Sequence, residues 1–223
     1  MNNRHIFALT DGLYQYDTTN GFTQLGQIQP DAPTTALGTG AGSLTDGAWE
    51  VKLTFYSSTT GFESNASAAG TTRTASTPNS RIELSAIPTT APNATIDKVR
   101  IYAATGTGSF LFAAEISLGT ATYNLDADPT SSLTPPTKHA PPRSGGGKFL
   151  TEFNGKLVYA GNSTYQNDVY FSEQNLPDAF DDGSSTQLIL YATGDGPITG
   201  IATGFFSDSN LDPYLVVFKK NRI

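Results

Sequence analysis

The sequence predicts an all-β protein, and three observations carry that expectation. Charged residues make up 15% of the 223 residues, against roughly 25% in ordinary soluble domains. Thr, at about one residue in seven, wets the surface instead, with Ser, Asn and Gln. Thr is β-branched and suits a half-exposed sheet face. Second, 22 Gly and 13 Pro cut the chain into short runs, as turns between strands do. Third, apolar residues alternate at period 2, while helix formers with i,i+4 charge pairs are almost absent. A chain of this length makes one large β domain or two small ones and buries a core without disulfides or metal.

Residues 6–26 read as a meander. Ile6-Phe7-Ala8-Leu9 turns through Asp11-Gly12 into Leu13-Tyr14-Gln15-Tyr16, and Asn20-Gly21 leads to a third strand, Phe22 to Gln27. Asp-Gly and Asn-Gly tolerate the positive φ of tight turns. So small a meander needs a later partner. Gln29 to Asp46, with Gly38, Gly40 and Gly42 alternating, reads as a linker or an extended edge. Gly47 to Tyr56 is the clearest strand: Trp49, Val51, Leu53 and Phe55 face a core, and Glu50, Lys52 and Thr54 face water. Arg81 to Ile87, Asp97 to Ala103, Ser109 to Ser117 and Ala121 to Leu125 follow as strands. Their inward residues are Ile82, Leu84, Val99, Ile101, Phe110, Phe112, Ala114 and Ile116. Five to seven short alternating strands within about a hundred residues predict an immunoglobulin-like sandwich.

A Pro-Pro-rich and then Gly-rich stretch, Ser131 to Gly147, reads as an interdomain crossing. Beyond it, Phe149 to Glu152, Lys156 to Ala160, Val169 to Ser172, Gln187 to Tyr191, Ile198 to Thr203 and Tyr214 to Phe218 are short strands at the spacing of propeller blades. The expected organisation is therefore a β-meander of a platform over 1–30, a sandwich over 31–140, and a partial β-propeller-like platform over 141–223. The platform is expected to continue beyond Ile223, which reads as the start of a returning strand.

Composition excludes several functions. With no Cys there is no disulfide framework, no Cys-based zinc site and no thiol nucleophile. A net charge of −7 supplies no field for nucleic acid or anionic membranes. No apolar run is long enough to span a bilayer. Thr10, Asp11 and Gly12 interrupt what would be a signal-peptide core, so synthesis in a cytoplasm without a cleavable address is expected. Gly38, Gly40 and Gly42 do not fit a dinucleotide fingerprint, and Gly145-Gly146-Gly147-Lys148 lacks the Ser/Thr and outer Gly of a phosphate loop.

Candidate chemical groups are few, and each has a plainer role. Trp49, the single Trp, is either a core anchor or a ligand-stacking platform. His5 and His139 have no Ser/Asp pair nearby in the strand-turn-helix setting a triad needs. Glu173, Asp178, Asp181 and Asp182 form the densest acidic group, suited to glycoside hydrolysis or simply to a solvated, capped turn. Asp208, Asn210 and Asp212 have the first spacings of a calcium loop, but Pro213 stands in place of Gly and Lys219 in place of Glu, which leaves only a looser oxygen-ligand site. Three glycosylation sequons begin at Asn65, Asn93 and Asn162, as chance allows in a Ser/Thr-rich chain. No catalytic, cofactor-binding or metal residue is assigned, and no enzyme activity or cofactor is expected.

Two families enter by resemblance. Phe55 to Ser67, with Gly61-Phe62-Glu63-Ser64-Asn65-Ala66-Ser67, resembles the late strand and loop of fibronectin type III domains. Lys98 to Tyr102, Phe110 to Ile116 and Thr120 to Asp126 resemble that family's middle strands, so the order here is permuted. Phe153 to Ala160, Val169 to Glu173 with Leu176 to Phe180, Gly194 to Gly200 and Leu215 to Ile223, with the 6–25 meander, resemble the propeller-like nozzle or tail-tubular (stabilisation-protein-like) proteins of bacteriophage tails. The resemblance implies a virion structural protein made in the host cytoplasm. It would form a homo-oligomeric ring with other tail or portal-adaptor proteins, the sandwich decorating the platform. The competing expectations are a carbohydrate-binding or adhesin-like module, with Tyr102, Phe62 or Tyr165 stacking on sugars, and a propeller glycosidase using Glu173 and Asp178.

Overall fold

The computed structural model describes residues 5–19, 21–77, 80–180, 187–189, 196–205 and 213–221. The protein is all-β: every regular element among these residues is a strand, in several small open sheets. No helix among them is long and apolar enough to cross a membrane. The chain divides into two compact units, Met1–Gly26 with Lys138–Ile223, and Gln27–Thr137.

In the first unit, β1 (His5–Ala8), β2 (Leu13–Asp17) and β3 (Gly21–Gln24) form an antiparallel meander. The β1–β2 turn is seated against Gly146, whose φ is +60° and where a Cβ would strike the Leu9 carbonyl oxygen. The Gly145-Gly146-Gly147 run therefore provides a close backbone approach, locked by the Gly147 N–H donating to Leu9 O at 3.0 Å. β11 (Phe149–Phe153), β12 (Lys156–Ala160), β13 (Asp168–Phe171) and β14 (Gln187–Ile189) pair in chain order as a four-stranded antiparallel sheet. The expected Asn154-Gly155 turn joins the first two, with φ of +51° and +71°. β15 (Ile198–Phe205) and β16 (Pro213–Lys219) form a hairpin.

Strand alternation splits the apolar side chains of the four-stranded sheet between its faces. Leu157, Tyr159 and Tyr170 cluster with Leu13, Leu25, Ile6 and Ala8 of the meander. Val158, Ala160, Val169 and Phe171 cluster with Ile198, Ile201, Leu215 and Val217 of the hairpin. Covered on both faces, β12 reads as a nearly continuous apolar run, Leu157-Val158-Tyr159-Ala160.

The second unit contains β4 (Thr34–Leu37), β5 (Gly47–Tyr56), β6 (Arg73–Ala75), β7 (Ile82–Ser85), β8 (Lys98–Thr105), β9 (Leu111–Ser117) and β10 (Tyr123–Leu125). One sheet has the order β6-β5-β8-β9 and the other β10-β7-β4, and both contribute to one core that contains Trp49, Val51, Leu53, Phe55, Ile82, Leu84, Val99, Ile101 and Leu125. The 29–46 stretch thus supplies a paired strand, β4. Its glycines are a track for one side chain: the Arg81 stem lies against Gly38 and the guanidinium against Gly40, while Nε pairs with Asp126.

Two expectations for this sheet are corrected. A bulge in the β8–β9 ladder pairs Ile101 with Ala114 but Tyr102 with Phe112, leaving Ala113 as the extra residue. The bulge changes the phase of the alternation. Ala113, Ala114 and Ile116 pack on the core, whereas Phe112 meets Tyr102, and Phe110 meets Lys52, away from it. The outer face is not uniformly wet either, because Thr54 and Tyr102 are fully buried beneath the 57–70 segment.

That segment covers the edge of β5 in steps of three residues. The N–H groups of Ser64, Ser67 and Gly70 donate to the carbonyls of Phe55, Leu53 and Val51. The Ser64 and Ser67 hydroxyl oxygens accept from the Phe55 and Leu53 N–H groups, at 2.9 and 3.0 Å, and donate onward to the carbonyls of Asn65 and Ala68. The first unit also uses this device: Ser172 N–H donates to Leu157 O, and its hydroxyl accepts from Leu157 N–H. A serine side chain there replaces a missing ladder acceptor, which keeps buried strand amides satisfied.

Candidate functional site

Among the described residues, a dense polar constellation lies on the outer face of the β6-β5-β8-β9 sheet. Alternation brings Thr54 of β5 and Arg100 and Tyr102 of β8 to that face, and the 57–70 segment lowers Glu63 onto them. Glu63 Oε1 accepts from the Thr54 hydroxyl and the Tyr102 hydroxyl, each at 2.6 Å. Glu63 Oε2 accepts from Arg100 Nη1 at 2.7 Å, and Arg100 Nε donates to Glu115 at 3.0 Å. The guanidinium lies 3.4 Å from the centre of the Tyr56 ring. Burial alone would lower the Arg100 pKa, but the hydrogen bonds to Glu115 and Glu63 outweigh it and hold the guanidinium charged. Burial, reinforced by Glu63, raises the Tyr102 pKa and keeps the phenol neutral. The one guanidinium is shared by two carboxylates and both hydroxyls donate to Glu63, so the arrangement fastens a loop to a sheet. Of this group the sequence singled out Tyr102 alone, as a sugar-stacking ring, and did not join it to Glu63 and Arg100, because Glu63 is far in sequence from Arg100 and the bulge that repositions Phe112 has no local signature.

In the first unit, a cleft of about 460 Å³ opens beside Lys148, Phe149, Gln166, Ile198 and Thr199. Its buried amide, Asn162, is fully engaged: Nδ2 donates to Ser144 O and Gly146 O, and Oδ1 accepts from the N–H groups of Thr164 and Tyr165. The sequon at Asn162 therefore offers no acceptor to a glycan. In the other two sequons, Ser67 bridges to β5 and Asn93 Oδ1 accepts from Thr95 N–H.

Trp49 is 2% exposed and donates Nε1–H to Thr45 O at 2.9 Å, a core anchor rather than a stacking platform. Tyr102 and Phe62 are buried, which corrects their expected role as sugar-stacking rings. Tyr165 is exposed but carries the Arg143 guanidinium 3.7 Å from its ring centre. Glu173 and Asp178 occupy one compact turn, closed by Leu176 N–H to Glu173 O and Glu173 N–H to Ala179 O. Asp178 is buried there. Asp181, Asp182, Asp208, Asn210 and Asp212 lie outside the described residues. Among the described residues, no three His, Asp or Glu side chains converge as a metal requires. His5 opens β1, and His139 lies in the run that leads to β11. No protein-family model matches the sequence, and no curated protein matches it.

Proposed function

We propose that this chain is a structural component of a bacteriophage tail, a nozzle or tail-tube ring protein that assembles as a homo-oligomer in the virion after synthesis in the host cytoplasm. The observation that carries the reading is the layered build of the first unit. An in-order, four-stranded antiparallel sheet is covered on one face by a meander and on the other by a hairpin. In-order antiparallel sheets packed face to face are the building principle of a propeller-like platform. The segments that resemble tail proteins fall within this unit: Val169 to Glu173 forms β13 and its serine bridge, and Leu215 to Lys219 lies in β16.

The finer reading of residues 27–137 is an immunoglobulin or fibronectin III-like sandwich that interrupts the platform between β3 and β11. It is supported by two sheets that share one core and by the buried Trp49 on a central strand. Charged groups are engaged in fastening loops, as with Glu63, Arg100 and Glu115, which favours a structural role over catalysis. Electron microscopy and gel filtration of the purified full-length protein test the reading. Rings that co-sediment with tails are expected. A strictly monomeric protein that does not bind tails overturns it.

A further inference from the structure

The cleft of the first unit lies where three strand ends meet: Phe149 opens β11, Gly161 follows β12, and Ile198 opens β15. Its volume of about 460 Å³ falls within the ~300–1,000 Å³ of small-molecule sites. The loop along its rim is fastened at several points. Asn162 Oδ1 accepts from the N–H groups of Thr164 and Tyr165, Ser163 N–H donates to Gly145 O at 3.2 Å, and Ile198 N–H donates to Gln166 O at 3.0 Å. Gly161, with φ of +76°, makes the close approach beneath: a Cβ there would stand 2.9 Å from the Phe149 ring and 3.1 Å from Lys148 Cβ. A cleft held this way spends little on ordering a loop when a ligand arrives.

We infer that this cleft binds a carboxylate-bearing sugar unit of the uronic acid type. Its described lining includes one cation, Lys148, and no Asp or Glu. Lys148 is exposed, and among the described residues no carboxylate pairs with it. In a chain of net charge −7, an unopposed ammonium beside a cleft is a place where one anionic group gains by docking. The remaining polar groups suit hydroxyls. The exposed Gln166 amide carries both donor and acceptor. The Ser163 and Thr199 hydroxyls donate to Gly145 O and Phe218 O, at 3.2 and 3.3 Å, so each keeps lone pairs that accept from a sugar hydroxyl. Half-buried Phe149 and Pro197 supply apolar surface for the C–H face of a sugar ring. A phosphate is a poorer match, because the described lining offers it no Arg fork. A wholly apolar ligand would leave the amide and the ammonium without a partner. The inference does not depend on ring assembly.

The test titrates glucuronate, glucose and acetate into the full chain, with calorimetry and heteronuclear NMR shifts as readouts and circular dichroism to verify folding of the variants. Glucuronate is expected to bind with a Kd on the order of 1 mM, about tenfold tighter than glucose or acetate, and to weaken as salt is added. The amides of Phe149, Gly161, Ser163 and Thr199 should shift. Lys148→Met is expected to weaken glucuronate binding about tenfold and to abolish the preference over glucose, whereas Lys148→Arg retains it. Gln166→Ala should weaken glucuronate and glucose alike, and it carries the test should Lys148→Met not fold. Lys98→Met, which removes a cation of the other unit, should change nothing. Glucuronate that causes no saturable shift up to about 20 mM overturns the inference. So does binding that the Lys148 and Gln166 variants leave unchanged, or glucose or acetate binding as tightly as glucuronate.

Discussion

In residues 27–137 a single core lies between two sheets, whereas the unit formed by 1–26 and 138–223 divides its apolar side chains between two clusters, one on each face of the β11–β14 sheet. The first arrangement is closed, since its apolar faces meet each other and its outer face is overlaid by a polar loop. The second is a stack of three layers, with the β11–β14 sheet in the middle, the meander on one face and the hairpin on the other. A single shared core makes one packing unit of two sheets, whereas in the stack the middle sheet is the element that both apolar clusters depend on.

The largest effect that separates the two should come from the closed core. Leu53→Ala is expected to cost about 2–5 kcal/mol, with hydrogen exchange rising throughout 27–137. Equal loss of protection in β11–β13 would erase the distinction between the units. Next is Glu63→Ala, which removes the acceptor shared by Thr54, Tyr102 and Arg100 and is expected to cost about 2–3 kcal/mol. Denaturant titration, repeated with Arg100→Met and with the double variant, should show strong coupling between the two positions.

The serine bridges are common to both units and sharpen the comparison from the other side. Ser67→Ala and Ser172→Ala each leave a buried strand amide without its acceptor and are expected to cost about 1–3 kcal/mol. A clear inequality in chemical denaturation would mean that the bridge carries different weight in the two settings.

Ionisation gives smaller effects, a loss of stability at each end of the pH range. Burial raises the pKa of Tyr102, Tyr159 and Tyr170, in the last case with help from Asp168. Their contribution is therefore complete below the unfolded value of 10.0 and is lost as pH rises through the folded values. Ultraviolet titration should show phenolates from both units appearing later than those of exposed tyrosines. Asp97 is shifted down: burial would raise it, but hydrogen bonds from the Ser58 hydroxyl and N–H outweigh that. Its contribution is present above the unfolded value of 3.8 and fades as pH falls through the lower folded value. Asp97→Asn is expected to cost about 0.5–1.5 kcal/mol at neutral pH, and nothing once the unmodified protein is acidified below both values.

Most strand positions were legible without coordinates. Period-2 alternation and Gly-bearing turns are local properties, so Gly47 to Tyr56, the Asn154-Gly155 hairpin and the all-β class follow from neighbouring residues alone. The polar cluster was not legible, because it joins Glu63 to Arg100, 37 positions apart, and nothing in either segment names the other. The sugar-stacking role for Tyr102 and Phe62 failed for the same reason: exposure depends on what a distant loop covers.

Composition and local pattern thus determined what this chain is made of: short antiparallel strands, a Thr-rich surface, no cysteine chemistry, and a break in character near residues 131–147. Only the tertiary structure decided which faces are covered, because burial is a property of two surfaces brought together. It moved Phe112 off the core through one inserted residue in a ladder. It turned Gly38 and Gly40 into a seat for Arg81. It also packed the meander on one face of the β11–β14 sheet and the hairpin on the other.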